Sequence, residues 1–586
     1  MFPRRRSLSR IFVILLIPLG LHFYLKSSWF AITDPLEIQE NNVLDIVTGS
    51  GDLLDARKHK FLQVRIGRDE RPDMFSDVIS NGLLDYWARF QKPFISNADT
   101  SHMDAQSVLA SVEQLLSLNG WVAAMCPTLT RPFSQNKHDT YDDLVQQRRL
   151  YYFAIVIHSA DHFLVDQLAV IVQMARRLGS SSIFVSMLDY DSTDSTETLV
   201  DLCEAVLTLL GVPFRIRRVP RMTEDPAAAY YPLEEAHMRN LALEPLKELH
   251  QRRKIKFDRV IWLKGFTCPN DILENIKISL TNEAAVVCGM DWAEYSGFFI
   301  FSDRWRTRDI NGDQFRQSKS SSKQDAAPPR DAIGALRYSK HLPFQVFCCE
   351  SGTHVVDPAQ SYYQGINYRT GTDYHNLSSV DGVPNRPPDA PCLDSSQTWF
   401  CRDLWIHQAR EGVREVEAMD SRKPVNKRHL DQDRHPVDPN PPPIPVAERD
   451  SRHARRQHKE DLDANVGSDF DAMPDTDDGL AVVPTRRLSV PNSVFRPARI
   501  LINPRCVTTY AGVSHAQLAL DLFGPKKGEE EPSLPESGGG KYTLDDWEGA
   551  PESFVCQEQK STGGRSATKT QRRLGFSIYE EVERLS

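Results

Sequence analysis

Apolar and polar positions along the chain fall into blocks of two lengths, and the two kinds alternate. Tyr151–Ile157 is a continuous apolar run of strand length, and Val165–Leu178 repeats its apolar positions at helical spacing, closed by Arg176, Arg177 and Gly179. Ser182–Leu188 predicts a second strand, Ser195–Leu210 a helix ended by Gly211, and Phe214–Val219 a third strand. Leu233–Arg253 predicts one long helix and Arg259–Leu263 a fourth strand. Pro269–Leu280 predicts a helix with proline at its start, and Ala284–Cys288 a fifth strand. Apolar runs without alternation belong to strands buried on both faces, and strand–helix alternation gives an α/β fold with a mostly parallel sheet. Beyond Asp291 the pattern breaks into aromatic, turn-rich segments up to about Trp405, with a polar insertion at 317–331.

The flanks read differently. Residues 1–32 join a basic tail (Arg4, Arg5, Arg6, Arg10) to the apolar run Ile11–Leu25, the pattern of a signal peptide or a signal anchor. Lys26-Ser27-Ser28-Trp29-Phe30 offers no small-x-small cleavage site, which favours an anchor with its basic end in the cytoplasm and the body in the lumen. The run is short for a span and suits the thin membranes of the early secretory pathway, so a single-pass protein of the Golgi or ER membrane is expected. Residues 33–148 read as a polar stem and a helical subregion, notably Ala105–Leu118, and 149–410 as the main domain. Residues 411–493 collapse into Asp, Arg, Lys and Pro and predict a long disordered insertion. Apolar order returns in 494–515, where Ile500-Leu501-Ile502 reads as a closing strand, and 516–586 reads as a low-complexity tail without structure.

Composition adds limits. With 40% hydrophobic and 25% charged residues the chain has material for a core, and its net charge of −9 gives no support to a nucleic-acid partner. Its 10 cysteines are too few for a disulfide scaffold. Cys348 or Cys349 with Cys392 or Cys401 are candidate pairs whose connectivity the sequence does not fix, and no Cys-x-x-Cys or His-x-x-x-His cluster points to structural zinc. Asn376-Leu377-Ser378 is a glycosylation sequon in a turn-rich stretch, consistent with a lumenal body.

The densest candidate chemistry is Leu188–Glu197, where Asp189, Asp191, Asp194 and four serine and threonine hydroxyls crowd a strand-to-helix turn. One reading is a helix start, with Asp194 or Ser192 as N-cap and Glu197 closing a capping box. The other is a ligand turn at the carboxyl end of a parallel strand, where open α/β sheets bind ligands. Asp403 and His407 share a helical face at i, i+4, a spacing that serves a solvated pair as well as a site.

Several motifs in one order carry a resemblance. Asp189-Tyr190-Asp191-Ser192-Thr193-Asp194-Ser195-Thr196, Arg239-Asn240-Leu241-Ala242-Leu243-Glu244-Pro245-Leu246, Cys268-Pro269-Asn270-Asp271-Ile272-Leu273 and Cys288-Gly289-Met290-Asp291-Trp292 are four of them. Arg308-Asp309-Ile310-Asn311-Gly312, Cys401-Arg402-Asp403-Leu404 and Pro504-Arg505-Cys506-Val507 complete the set. Together they resemble the fungal capsule-associated α-1,3-mannosyltransferase family. The resemblance implies a GT-A-like nucleotide-sugar-binding fold and retaining α-1,3-mannosyl transfer from GDP-mannose to a glycan acceptor, with Mn²⁺ or Mg²⁺ as cofactor. Under it, Asp189, Asp191, Asp194, Arg239 and Lys264 become donor-binding candidates. Asp291, Asp309 and Glu350 become catalytic candidates, and Asp191 and Asp291 metal candidates. Two departures stand out. The family's Leu-Asn-Asp-Val after the fourth strand reads Leu263-Lys264-Gly265-Phe266 here, and its Ser-Cys-Trp-Asn-Gly becomes Cys348-Cys349-Glu350-Ser351-Gly352. Two rival readings stay open: a transferase for another nucleotide sugar, and a non-catalytic lumenal relative with a degenerate metal site.

Overall fold

The computed structural model describes parts of 54–66 and 125–146, then 149–220, 231–316, 328–371, 394–422, 490–524, 542–559 and 567–585, with short gaps. The anchor of 1–32, the helix at 105–118, residues 317–327 of the polar insertion, the sequon and most of 411–493 lie outside these residues. No helix is long and apolar enough to cross a membrane among the described residues.

The strands are β1 (Gln63–Ile66), β2 (Tyr151–Ile157), β3 (Ile183–Tyr190), β4 (Phe214–Val219), β5 (Arg259–Trp262), β6 (Phe266–Thr267) and β7 (Val286–Tyr295). They continue with β8 (Phe298–Phe301), β9 (Arg308–Asp309), β10 (Phe344–Cys348), β11 (His354–Val356), β12 (Ile500–Thr509), β13 (Ser553–Gln559) and β14 (Ala567–Gly575). The helices are α1 (Asp142–Gln146), α2 (Leu164–Leu178), α3 (Thr196–Leu210), α4 (Tyr231–Ala242) and α5 (Glu244–Arg253). After these come α6 (Pro269–Thr281), α7 (Ala332–Ser339), α8 (Ser396–Arg422), α9 (His515–Phe523) and α10 (Ile578–Leu585).

One large sheet runs β1-β4-β3-β2-β5-β11-β7-β12-β10-β9, with β6 on β12 and β8 on β7; β13 and β14 form a separate hairpin. From β1 to β5 every pairing is parallel. The short β11 is antiparallel to both β5 and β7, so it restores the common direction on its far side, where β7 and β12 pair in parallel. Successive residues of β2 enter opposite core clusters: Tyr152 and Ala154 one, Tyr151, Phe153 and Ile155 the other. A strand covered on both faces needs no polar alternation, which is why the apolar runs predict it.

Three expectations need correction. The single helix expected over Leu233–Arg253 is two, because Pro245 has no amide to donate to the preceding turn and opens α5 instead. The start of the expected insertion, 411–422, continues α8. The expected low-complexity tail carries the β13–β14 hairpin and α10, and Phe554, Cys556, Phe576 and Ile578 are buried in the main core. Sparse apolar residues in a Lys/Glu/Gly/Ser-rich context hid that packing. Asn492 fixes this corner by donating to the carbonyls of Pro551 and Phe576 and accepting from the amide of Ile578. Three disulfides staple the described residues: Cys126–Cys268, Cys288–Cys349 and Cys348–Cys401. The last is one of the candidate pairs.

Candidate active site

The common strand direction brings Asp189 at the end of β3, Lys264 after β5, Asp291 in the upper part of β7 and Tyr510 after β12 to one edge of the sheet. The loop entering β11 is tied to that edge: Ser351 Oγ accepts from the amide of Asp291 at 2.9 Å, Thr353 Oγ1 from that of Lys264 at 3.1 Å, and the amide of Thr353 donates to Thr508 Oγ1 at 2.9 Å. Gly265 has φ of 45°, and a Cβ there would collide with the carbonyl of Thr509. Glycine is therefore needed beside Lys264 so that β6 can close on β12.

Two acidic clusters occupy this edge. The first is the β3–α3 turn, whose polar groups chiefly fasten it to the end of β2. The amides of Ser159, Ala160 and Asp161 donate in turn to Ser192 Oγ, Thr196 Oγ1 and Asp194 Oδ2 at 2.9, 2.7 and 3.3 Å. Ser195 is the N-cap without a side-chain bond; Asp194 Oδ1 accepts from the Thr196 amide, and Glu197 pairs with Arg218 at 2.6 Å instead of closing a capping box. Asp191 adopts left-handed backbone (φ 46°), a region that Asp tolerates better than most residues. Asp189 is buried. Its Oδ1 accepts from Ser192 Oγ at 2.5 Å, its Oδ2 has no hydrogen bond, and burial raises its pKa against the opposing effects of Ser192 and Arg218.

The second cluster is a buried basin. Glu350, fully buried, takes Lys264 Nζ at 2.8 Å, Arg306 Nη1 at 2.7 Å and Arg239 Nη2 on the same Oε1. Glu235, one turn before Arg239 on α4, accepts from Arg239 at 3.0 Å and Arg306 at 3.2 Å. Its other oxygen receives the Ser396 amide and hydroxyl at the start of α8. Arg239 also donates to Gln397 Oε1 at 2.8 Å and lies 4.9 Å over the Tyr368 ring. Three cations against two carboxylates leave a positive surplus. Burial would push the Glu350 carboxyl up, but Arg239, Arg306 and Lys264 together hold it well below the usual range, so it is ionised. Its Oε2 has no hydrogen-bond partner.

Beside these cations stand two more buried carboxyls, Asp291 and Asp303, each pushed up to about 7 chiefly by burial. The Asp303 charge adds to the rise at Asp291, Lys264 opposes it, and Asp291 Oδ1 has no hydrogen-bond partner. Geometry agrees, since Ser302 donates from both its amide and its hydroxyl to the Asp291 carbonyl, at 2.9 and 3.3 Å, leaving Asp303 next along the chain. Tyr510 lies within the electrostatic reach of the pair: burial and both carboxylates raise its hydroxyl pKa. Its ring meets Phe163 edge-on at 6.3 Å, just past the 159–161 loop that holds the first cluster.

An orphaned buried oxygen beside a second carboxyl fits Mn²⁺ or Mg²⁺, which take carboxylate and phosphate oxygens. Bound between Asp291 and Asp303, such an ion would remove the cost of ionising both. Cys268, Asp271 and His515 also lie close enough to share an ion, but a sulfur already in a disulfide is no ligand for these hard cations.

The remaining sequence candidates fall elsewhere. Asp309 Oδ1 accepts from the amides of Asn311 and Asp313 and Oδ2 from those of Arg330 and Asp331, so both oxygens clasp two loops. The charges acting most strongly on Asp291 are Asp303, Lys264 and Arg306, with Asp191 not among them. Asp403 accepts a bidentate pair from Arg369 at 2.6 and 2.7 Å. Sequence reasoning passed over Glu235, Asp303, Arg306 and Tyr510. The only signal for Asp303 and Arg306 was charge following the apolar run Phe298–Phe301.

Residues 150–381 match the family described as Cryptococcal mannosyltransferase 1. No curated protein matches the chain. Among solved structures, Staphylococcus aureus TarS (residues 1–349) is 11% identical with a TM-score of 0.25, over 44% of this chain and 56% of that one; the chain thus spans little more than half of it. The same TarS segment in complex with UDP-GlcNAc is 10% identical at a TM-score of 0.24 over 44% of this chain and 54% of that one. The Pyrobaculum calidifontis mannosyltransferase PcManGT in complex with GDP-Man and Mn²⁺ is 12% identical at 0.23, over 54% and 76%. Likeness this loose carries no argument about ligand or activity.

Proposed function

We propose, from the match of residues 150–381 to the family described as Cryptococcal mannosyltransferase 1, that the chain is a GT-A-like retaining glycosyltransferase that moves mannose from GDP-mannose to a hydroxyl of a glycan, in α-1,3 linkage. The observation that carries the reading is the buried basin. An unpartnered Asp291 oxygen and Asp303 face Lys264 and Arg306 at the carboxyl edge of the sheet.

Breaking the bond from the anomeric carbon to the diphosphate develops negative charge on the leaving group and positive charge on the sugar. Lys264 and Arg306, held in place by Glu350, supply fixed positive charge for the diphosphate, and in a water-poor basin such charge acts strongly without reorganising. Asp291 and Asp303 would hold Mn²⁺ or Mg²⁺, which supplies Lewis-acid neutralisation of the same phosphates. Glu350 has a second duty in this reading: its ionised, unpartnered Oε2 stabilises the positive sugar. Arg239 positions Glu350. Asp189, Asp191 and Asp194 line the β3 turn, where the base and ribose of the donor rest. Asp309 has no part in the chemistry. The disulfides and the N-terminal sequence support an oxidising lumenal setting in the Golgi or ER behind a membrane anchor.

The test is release of GDP and transfer of labelled mannose to an α-mannoside by purified protein with Mn²⁺. Turnover with GDP-mannose above UDP-sugars supports the reading. Absence of binding to every common nucleotide sugar in a thermal-shift panel favours instead the non-catalytic relative.

A further inference from the structure

The disulfide Cys126–Cys268 differs from its companions. Cys288, Cys348, Cys349 and Cys401 are wholly buried, whereas Cys126 is half-exposed, so a reductant reaches this bond first. Two more metal-ligating side chains surround Cys268: Asp271, one turn along α6, and His515 at the start of α9. One ligand atom from each of the three lies within 4.8 Å of the others, and all three residues are buried. His515 Nδ1 lies 2.9 Å from Thr509 Oγ1 and Nε2 3.2 Å from Cys268 Sγ. In the tautomer that carries its proton on Nδ1, the Thr509 hydroxyl takes that proton and Nε2 aims a bare lone pair at a sulfur that has no proton to give. A buried imidazole so oriented by its other nitrogen is the arrangement of a metal-ligating histidine.

We propose that the disulfide and a metal ion are alternative occupants of this place: in the reduced chain Cys126, Cys268, Asp271 and His515 bind one Zn²⁺. Two thiolates, an imidazole and a carboxylate form a tetrahedral set of the kind zinc takes, and the sulfurs select against the Mg²⁺ or Mn²⁺ suited to Asp291 and Asp303. A dithiol reductant supplies the two electrons that break the S–S bond and is itself oxidised to a disulfide; the two thiols formed lose their protons to solvent when zinc binds. Either occupant fastens the same joint, because Cys268 follows β6 and Thr509 pairs with Phe266 where β12 closes on it, next to Lys264. An oxidising lumen holds the disulfide, and reducing conditions release the metal form.

The full chain is reduced mildly under argon and titrated with Co²⁺, then Zn²⁺. One equivalent of Co²⁺ is expected, with the intense visible bands of a tetrahedral thiolate site, bleached by Zn²⁺ and absent from the oxidised chain. His515→Ala should weaken binding by about 10- to 100-fold, the range seen even for residues that only support a metal ligand. Wild-type chain also serves without any variant: after mild reduction, Zn²⁺ should shield Cys126 and Cys268 from alkylation as mapped by mass spectrometry. No Co²⁺ binding, identical spectra in wild type and His515→Ala, or equal alkylation with and without zinc each overturns the proposal.

Discussion

The two acidic clusters at the sheet edge are built in opposite ways. The β3 turn concentrates its carboxylates within ten residues, Asp191 and Asp194 half-exposed and only Asp189 buried with one oxygen lacking a hydrogen bond, and uses most of the turn's other oxygens and hydroxyls to knit β2 and β3 together. The basin draws Glu235, Asp291, Asp303 and Glu350 from four separate segments, buries them, and leaves Asp291 Oδ1 and Glu350 Oε2 without partners. Density of polar residues in a sequence marks a turn that must be held. Unsatisfied burial marks a place where something else binds, because a polar atom left buried and unpaired costs about 1–3 kcal/mol unless a ligand meets it.

Substitutions can break or sharpen this contrast. The largest effect is expected in the basin: Asp291→Asn should lower kcat with GDP-mannose by about a thousandfold, as expected when charge stabilisation of a leaving group is lost, while leaving the thermal transition in place. Glu350→Gln should act on stability as well as rate. It leaves buried Arg239 and Arg306 and half-buried Lys264 without their shared carboxylate, and breaking a buried ion pair costs about 3–5 kcal/mol; urea unfolding measures this. Asp191→Ala in the turn should raise KM by about tenfold with little change in kcat, and a loss of kcat equal to that of Asp291→Asn would erase the distinction.

A pH titration of the metal-free protein separates the clusters further. Asp291 and Asp303 titrate near 7 in the fold against about 4 when unfolded. The native state therefore binds more protons at these two groups across that interval, so their contribution to stability is greatest below about pH 4 and falls as pH rises toward 7, whereas Glu350, held below its usual range, contributes the opposite slope in acid. Each group contributes a slope of up to about 1.4 kcal/mol per pH unit. Asp291→Asn should flatten the slope, and Mn²⁺ should stabilise the protein more at pH 8 than at pH 5.5, since it must displace protons at the lower value. The smallest effect is expected far from both clusters: replacing 425–488 by a short linker should leave activity and the unfolding midpoint unchanged within error, as its composition supports no core.

What was legible from the sequence follows from how each feature is encoded. The strands from Tyr151 to Trp262 appear as apolar runs because both faces of the sheet are covered. Lys264 and Asp291 were visible because they directly follow or end such runs. Asp303 and Arg306 lie in an aromatic, turn-rich stretch with no period, and only the β7–β8 pairing carries them to Asp291. The two-residue β9 and three-residue β11 are too short to show a pattern, although β11 brings Glu350 and Thr353 to the edge. The tail was misread because Phe554, Phe576 and Ile578 are few and widely spaced, and packing against a distant core leaves no local trace.

The central claim is that the basin around Asp291, Asp303 and Lys264 holds the donor diphosphate. It is tested most directly by measuring GDP release from GDP-mannose with Mn²⁺ for wild type and Asp291→Asn side by side, with unfolding midpoints recorded on the same samples. The account predicts turnover in the wild type and its loss in a variant that stays folded; equal turnover in the two would contradict it.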